Sequence, residues 1–159
     1  MILPYFGEID LNNLEEYYEV IMSLESQKDF PLELWFDSEK LSSDDIEPTI
    51  NILNTLAEEI KNSNKYLFQN GRKTIDKYLN HQLSELLKPE KVNFGILSSD
   101  NNQKALQKLE DKIHLKSISI WPENDAIIFD YTIGYLITDY VICIATNYDL
   151  NNWSIDIQS

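Results

Sequence analysis

The residues from Lys116 to Thr146 constrain the fold more than any other part of the chain. Ser117-Ile118-Ser119-Ile120-Trp121 alternates polar and apolar side chains, the period of a half-buried strand. Pro122-Glu123-Asn124-Asp125 reads as a turn, because proline presets φ and the short Asn and Asp side chains hydrogen-bond their own backbone. Ala126 to Ile133 returns as a second strand, with Ile127, Phe129, Tyr131 and Ile133 on one face. Tyr140-Val141-Ile142-Cys143-Ile144-Ala145 is apolar at every position, which predicts a third strand covered on both faces, inside a sheet rather than at its edge.

The same period appears near the start. Tyr5, Gly7, Ile9 and Leu11 alternate with Phe6, Glu8 and Asp10, predicting a first strand that closes at Asn12-Asn13. Leu14-Glu15-Glu16-Tyr17-Tyr18 would suit a helix, yet Tyr18, Val20, Met22 and Leu24 keep a period of two. Phe30, Leu32, Leu34 and Phe36 repeat it after Ser26-Gln27-Lys28-Asp29, so the pair is predicted as a hairpin.

The middle is helical. Ser42-Ser43-Asp44-Asp45 supplies side-chain acceptors and negative charge for the exposed N–H groups of a helix start. Pro48 is expected in the opening turn, where a missing N–H does little harm. Ile46, Ile50, Leu53, Leu56, Ala57 and Ile60 fall on one face at helical spacing. A second helix is predicted from about Asn64 to Leu87, with Leu67, Ile75, Tyr78, Leu79, Leu83 and Leu86 inward. Gly71 weakens its middle by up to about 1 kcal/mol relative to Ala, and Pro89 ends it. Val92 to Leu97 fits a strand or a loop. Asn101 to His114 predicts a third helix with Ala105, Leu106, Leu109 and Ile113 on its stripe, and Trp153 to Ile157 a last strand after the polar Asn147–Asn152 loop. Strands, then helices, then strands again specify an α+β domain rather than alternating βαβ units: one mainly antiparallel sheet with helices packed on one face. At 159 residues the chain is expected to be a single domain, 1–159, long enough to bury about two-thirds of its unfolded surface.

Charge divides unevenly along this plan. Residues 1–60 hold 15 acids against Lys28 and Lys40, residues 61–116 hold 11 bases against six acids, and residues 117–159 hold six acids and no Lys or Arg. The regional balances are −13, +5 and −6, together the net −14. Both strand-rich ends are acidic. Such a field repels nucleic acid and anionic membrane and favours a basic protein partner or none, the plain alternative being that the charge serves solubility alone. No apolar run approaches the roughly 20 residues of a spanning helix, and the first ten residues lack the charged and apolar regions of a signal peptide. The expected location is cytoplasmic.

Catalytic motifs are sparse. His81 and His114 stand in no His-x-x-x-His or Cys-x-x-Cys setting, so neither a metal site nor a cofactor is expected. Gly7, Gly71, Gly95 and Gly134 are isolated, which excludes the usual phosphate-binding loops. Cys143 lies in a core-like strand, the setting of an inert thiol, and as the single cysteine it rules out an internal disulfide. Among the acids, Asp130 and Asp139 sit in otherwise apolar surroundings, where desolvation raises a carboxyl pKa. A catalytic role for them competes with the commoner structural one, bonding to backbone N–H groups or Thr hydroxyls. On the uncovered sheet face, parity places Tyr17, Glu19, Ile21, Glu33, Trp35 and Asp37, aromatics among acids, as the candidate binding surface.

Phe6-Gly7-Glu8-Ile9-Asp10-Leu11, Ile118-Ser119-Ile120-Trp121-Pro122, Phe129-Asp130-Tyr131-Thr132, Thr138-Asp139-Tyr140 and the closing Trp153-Ser154-Ile155-Asp156-Ile157-Gln158-Ser159 resemble the pattern of a bacterial family, Domain of Unknown Function two-thousand-and-four. The likeness covers the first dozen residues and the last 45 or so, and Trp121 and Gln158 stand where that pattern has Tyr and Glu. It implies a small bacterial α/β domain with no established activity. It carries over no catalytic residue, although Asp130 and Asp139 match shared positions. The reading this favours is a non-enzymatic protein-binding domain, of the immunity or antitoxin type; the alternatives are a carboxylate-based hydrolase or metal-binding enzyme and a self-associating structural domain.

Overall fold

A computed structural model of the chain describes residues 1–24, 29–86 and 102–159. Ser26-Gln27-Lys28 of the predicted hairpin turn, the Pro89 stop and the Val92–Leu97 segment lie outside the described residues. Six strands form one sheet in sequence order: β3 Tyr17–Met22, β4 Phe30–Trp35, β5 His114–Trp121, β6 Ala126–Thr132, β7 Val141–Thr146 and β8 Ser154–Gln158. Every neighbouring pair is antiparallel except β4 and β5, which run parallel. Between them lie α1 Ser43–Asn70, α2 Arg72–Leu86 and α3 Asn102–Glu110. A parallel pair requires a long crossover to carry the chain back, and the helices supply it. The acidic strands from the two ends of the sequence therefore meet in one layer.

Register explains the core. Leu32, Ile118, Phe129 and Ile144 are aligned across four strands, with Leu34, Ile120 and Ile127 in the next row, and all are fully buried. They share one cluster with Ile46, Leu53, Leu56 and Leu67 of α1, Ile75, Tyr78 and Leu79 of α2, and Ala105 and Leu109 of α3. One sheet face is thus closed by the helices. β7 is apolar on both faces and lies inside the sheet between β6 and β8, as its sequence requires.

α1 opens on the expected cap. The Ser42 hydroxyl accepts from the Asp45 N–H, and the Asp45 carboxylate accepts from the Ser42 N–H in return, a reciprocal arrangement that satisfies two otherwise orphaned donors. The Ser42 hydroxyl also donates to Asp45 Oδ2 at 2.6 Å, and that bond, then the one from the Ser42 N–H, holds the Asp45 carboxyl below its usual range.

Five local expectations are corrected. The predicted first strand from Tyr5 to Leu11 is broken, because Tyr5 and Gly7 take positive φ of 69° and 78°. The chain folds back there, pairing β1 Ile2–Leu3 with β2 Gly7–Glu8 as a separate small ribbon. The strand expected across Leu14 to Leu24 is confined to Tyr17–Met22. Pro48 stands beyond the opening turn of α1, where its missing N–H removes one bond to the Asp44 carbonyl. The helix boundary falls at Gly71 rather than just before Asn64, and the buried stripe of α1 runs through Thr49, Ile52, Glu59 and Ser63 while Ala57 is exposed. Hydroxyl pairing makes that burial affordable: Thr49 Oγ1 meets Tyr148 Oη at 2.8 Å, and Ser63 Oγ meets Tyr131 Oη at 2.6 Å. Finally, α3 ends at Glu110, so His114 opens β5 instead of closing a helix.

Candidate functional site

Strand parity builds the second face of the sheet. Since Phe30, Leu32 and Leu34 turn inward, Pro31, Glu33 and Trp35 turn outward, and likewise Ser117, Ser119 and Trp121 of β5. The β3–β4 register sets Tyr17 opposite Trp35, Glu19 opposite Glu33 and Ile21 opposite Pro31. The β4–β5 register sets Glu33 beside Ser119. Two rows result, one aromatic and one acidic.

In the aromatic row, Trp35 and Trp121 lie stacked, with ring centroids 5.3 Å apart and planes 7° apart. Tyr17 packs on the other side of Trp35 at 4.4 Å and a tilt of 49°. In the acidic row, Glu33 Oε2 accepts from Ser119 Oγ at 2.6 Å and from Trp35 Nε1 at 3.2 Å. Glu19 accepts from the Tyr17 hydroxyl. That bond, then burial and the charges of Glu33 and Glu19, push the Tyr17 phenol up to about 12. Among the described residues neither Glu19 nor Glu33 forms an ion pair with a cation, unlike Glu58 with Lys61 or Glu110 with Arg72.

Five of the six expected binding residues share this face: Tyr17, Glu19, Ile21, Glu33 and Trp35. Ile21 is the most exposed of its apolar groups, at 62%. Asp37 lies just past β4, where its N–H donates to Glu123 Oε2 at 2.7 Å and its Oδ2 accepts from Asn124 at 2.8 Å. It ties the end of β4 to the 3-10 turn Pro122–Asn124 after Trp121.

Asp130 faces the same way from β6, opposite Ser117 and Cys143. Ser117 Oγ donates to its Oδ2 at 3.4 Å, while its Oδ1 is buried with no partner among the described residues. Burial pushes this carboxyl above its ordinary range; the Lys116 charge and bonds from Ser117 and Cys143 oppose that, and the Glu33 charge adds to it. Burial, then the Asp130 charge, pushes the Cys143 thiol up to about 12, so the group is a thiol at neutral pH and a poor nucleophile. Asp139 is elsewhere. It is exposed in the connection between β6 and β7, on the rim of a cleft of about 690 Å³ that Lys112, His114 and Lys116 also line and Asp130 does not. The two candidate acids therefore sit in different surroundings.

His81 lies on the exposed side of α2 against the Tyr140 ring, with centroids 5.2 Å apart. His114 Nδ1 is 2.7 Å from the Lys112 carbonyl. Among the described residues no three or more His, Cys, Asp or Glu side chains gather as a metal site would, and no helix is long and apolar enough to cross a membrane. Sequence reasoning missed Ser119 and Trp121 as parts of the face. Their parity was readable from the Ser117–Trp121 alternation; their adjacency to Glu33 and Trp35 was not, because it depends on the parallel β4–β5 pairing.

The fold and face define an α+β domain built on a six-stranded sheet with one helix-covered side and one side bearing paired aromatic and acidic rows. Comparison with known protein families, curated proteins and solved structures finds no match for this chain.

Proposed function

We propose that the chain is a non-enzymatic binding domain that engages a basic protein partner through the face carrying Tyr17, Glu19, Ile21, Glu33 and Trp35, with Asp37 at its margin. The observation that carries this reading is the Trp35–Trp121 stack set beside Glu19 and Glu33, carboxylates with no ion-pair partner among the described residues. Half-buried aromatics supply contact area at little cost in side-chain entropy, and a rim of unpaired acids steers an oppositely charged partner. The net −14 extends that field over the whole molecule. An immunity or antitoxin role follows the same chemistry, since a nuclease toxin presents a basic active site to its inhibitor.

The test is capture on the immobilised chain. Basic proteins are expected on the wild type at low salt and in the wash at about 0.5 M salt, where the screening length falls to a few ångströms. Retention of nothing basic, or retention indifferent to salt, overturns the reading. The immunity form further requires that co-expression relieve the growth arrest caused by a toxin encoded beside this gene.

A further inference from the structure

We propose that the anchor this face receives is the guanidinium of an arginine side chain on the partner, seated between Glu19 and Glu33 and laid against the ring of Trp121. The inference rests on the basic-partner reading above and names the chemistry that the reading leaves open.

Three observations converge on a planar cation. Glu19 and Glu33 are register partners across β3–β4, and like charges directly opposite in a sheet repel. A cation between them converts that repulsion into two attractions, and among the described residues the chain pairs no cation with either. Glu33 is also held in place, because Ser119 and the Trp35 indole N–H both bond to Oε2. This leaves Oε1 with no hydrogen bond among the described residues. A carboxylate fixed in this way suits a donor whose own geometry is fixed, and the guanidinium carries five N–H donors in a rigid fork. Beside the carboxylates, Trp121 stacks on Trp35 within 7° of parallel, and Tyr17 packs on the other side of Trp35, so the ring left to a ligand is that of Trp121. A flat guanidinium stacks on that ring and still reaches the acids at its edge. A lysine ammonium is a compact, strongly hydrated charge that gains less from a flat platform.

The experiment titrates the full-length chain with oligo-arginine and oligo-lysine peptides of equal length, following indole fluorescence and heat. Oligo-arginine is expected to bind about tenfold more tightly, because only the guanidinium combines the fork with stacking. Glu33→Gln and Glu19→Gln are each expected to weaken oligo-arginine by about tenfold, the size of one lost charge-assisted contact. Trp121→Phe retains most of the arginine preference and Trp121→Ala loses it. Circular dichroism confirms that each variant is folded, and the glutamine and phenylalanine variants keep the test open should Trp121→Ala fail to fold. Equal, salt-sensitive binding of both peptides, weakened by the glutamine variants, overturns the arginine anchor while the basic-partner reading stands. Binding of neither peptide also overturns the anchor, and the capture experiment then decides the broader reading on its own.

Discussion

Trp35 lies parallel to Trp121 across the seam between β4 and β5, the parallel pair of an otherwise antiparallel sheet. The seam joins strands separated in the chain by all three helices, so its closure entropy is offset late in folding and by few local contacts. Stacked aromatic pairs contribute about 0.5–1.5 kcal/mol beyond the area they bury. Trp35→Ala and Trp121→Ala are each expected to lower stability by about 1–3 kcal/mol in urea unfolding. The double variant should fall short of the summed losses by about 0.5–1.5 kcal/mol, because the second truncation finds the stack already gone. Simple additivity would show that the rings touch without stabilising the seam.

Gly71 is the second point at which the fold depends on one residue. Its φ of −88° is open to any amino acid, so conformational freedom does not explain the glycine. Space does. A Cβ there would stand 2.4 Å from the Leu67 carbonyl oxygen and 2.6 Å from Ile155 Cδ1. The backbone of the α1–α2 junction thus passes directly against β8. Gly71→Ala is expected to destabilise the chain by about 1–3 kcal/mol, the usual cost of forcing volume into a packed site, although alanine is the better helix former. Paired with Ile155→Val, which removes the clashing methyl, the loss should shrink in thermal unfolding. A stabilised Gly71→Ala chain would mean that the junction can move apart freely.

These two sites mark the limit of what the sequence made legible. Period-two patterning assigned Ile118, Ile120, Ile127 and Phe129 to the core and Glu33 and Trp35 to the other face, because alternation is a local property of each strand. The cap at Ser42–Asp45 was local too. Gly71 looked like a weak point within one helix, since the approach of Ile155 comes from the far end of the chain. Thr49 and Ser63 carry no apolar signal that would place them inside, and their Tyr148 and Tyr131 partners come from distant strands and loops. For the face itself, residue types and orientation were readable. The union of Glu33 with Ser119 and of Trp35 with Trp121 needed the crossover that sets β5 beside β4.

Asp130 makes stability depend on pH in an unusual direction for a carboxylate. Burial raises its pKa in the folded chain, so the folded state binds the proton more tightly than the unfolded state does. Ionisation at this position therefore costs stability. The cost is absent below the unfolded value near 3.9, grows as pH rises, and is complete above the folded pKa. The surrounding groups are Lys116 and Ser117 of β5, Cys143 of β7 and Glu33 of β4. Asp130→Asn keeps the shape and removes the charge, so the variant should exceed the wild type in stability at neutral pH and lose that margin as pH falls through the carboxylate range. Taking the difference between the two curves cancels Asp45, whose lowered pKa works in the opposite sense. A variant less stable than the wild type at pH 7 would show that the Ser117 and Cys143 bonds outweigh burial.

Glu19 separates the needs of the fold from those of recognition. It stands opposite Glu33 on an edge strand and bonds to Tyr17, an arrangement in which two like charges face each other across the ladder. Glu19→Lys turns the repulsion into an attraction. Cross-strand charge pairs of this kind shift stability by about 0.2–1 kcal/mol, and the gain is expected at the lower end because an exposed pair is screened by solvent and salt. The same substitution places a positive charge where a basic partner must dock, so retention of that partner should fall by about tenfold or more. Urea unfolding at low and raised salt, run beside the capture assay, reads both effects. A chain that is slightly more stable yet no longer binds would mean that the acids are retained for recognition at the expense of the fold. A chain that loses stability and binds as before would mean that Glu19 serves the sheet through Tyr17 and takes no part in docking.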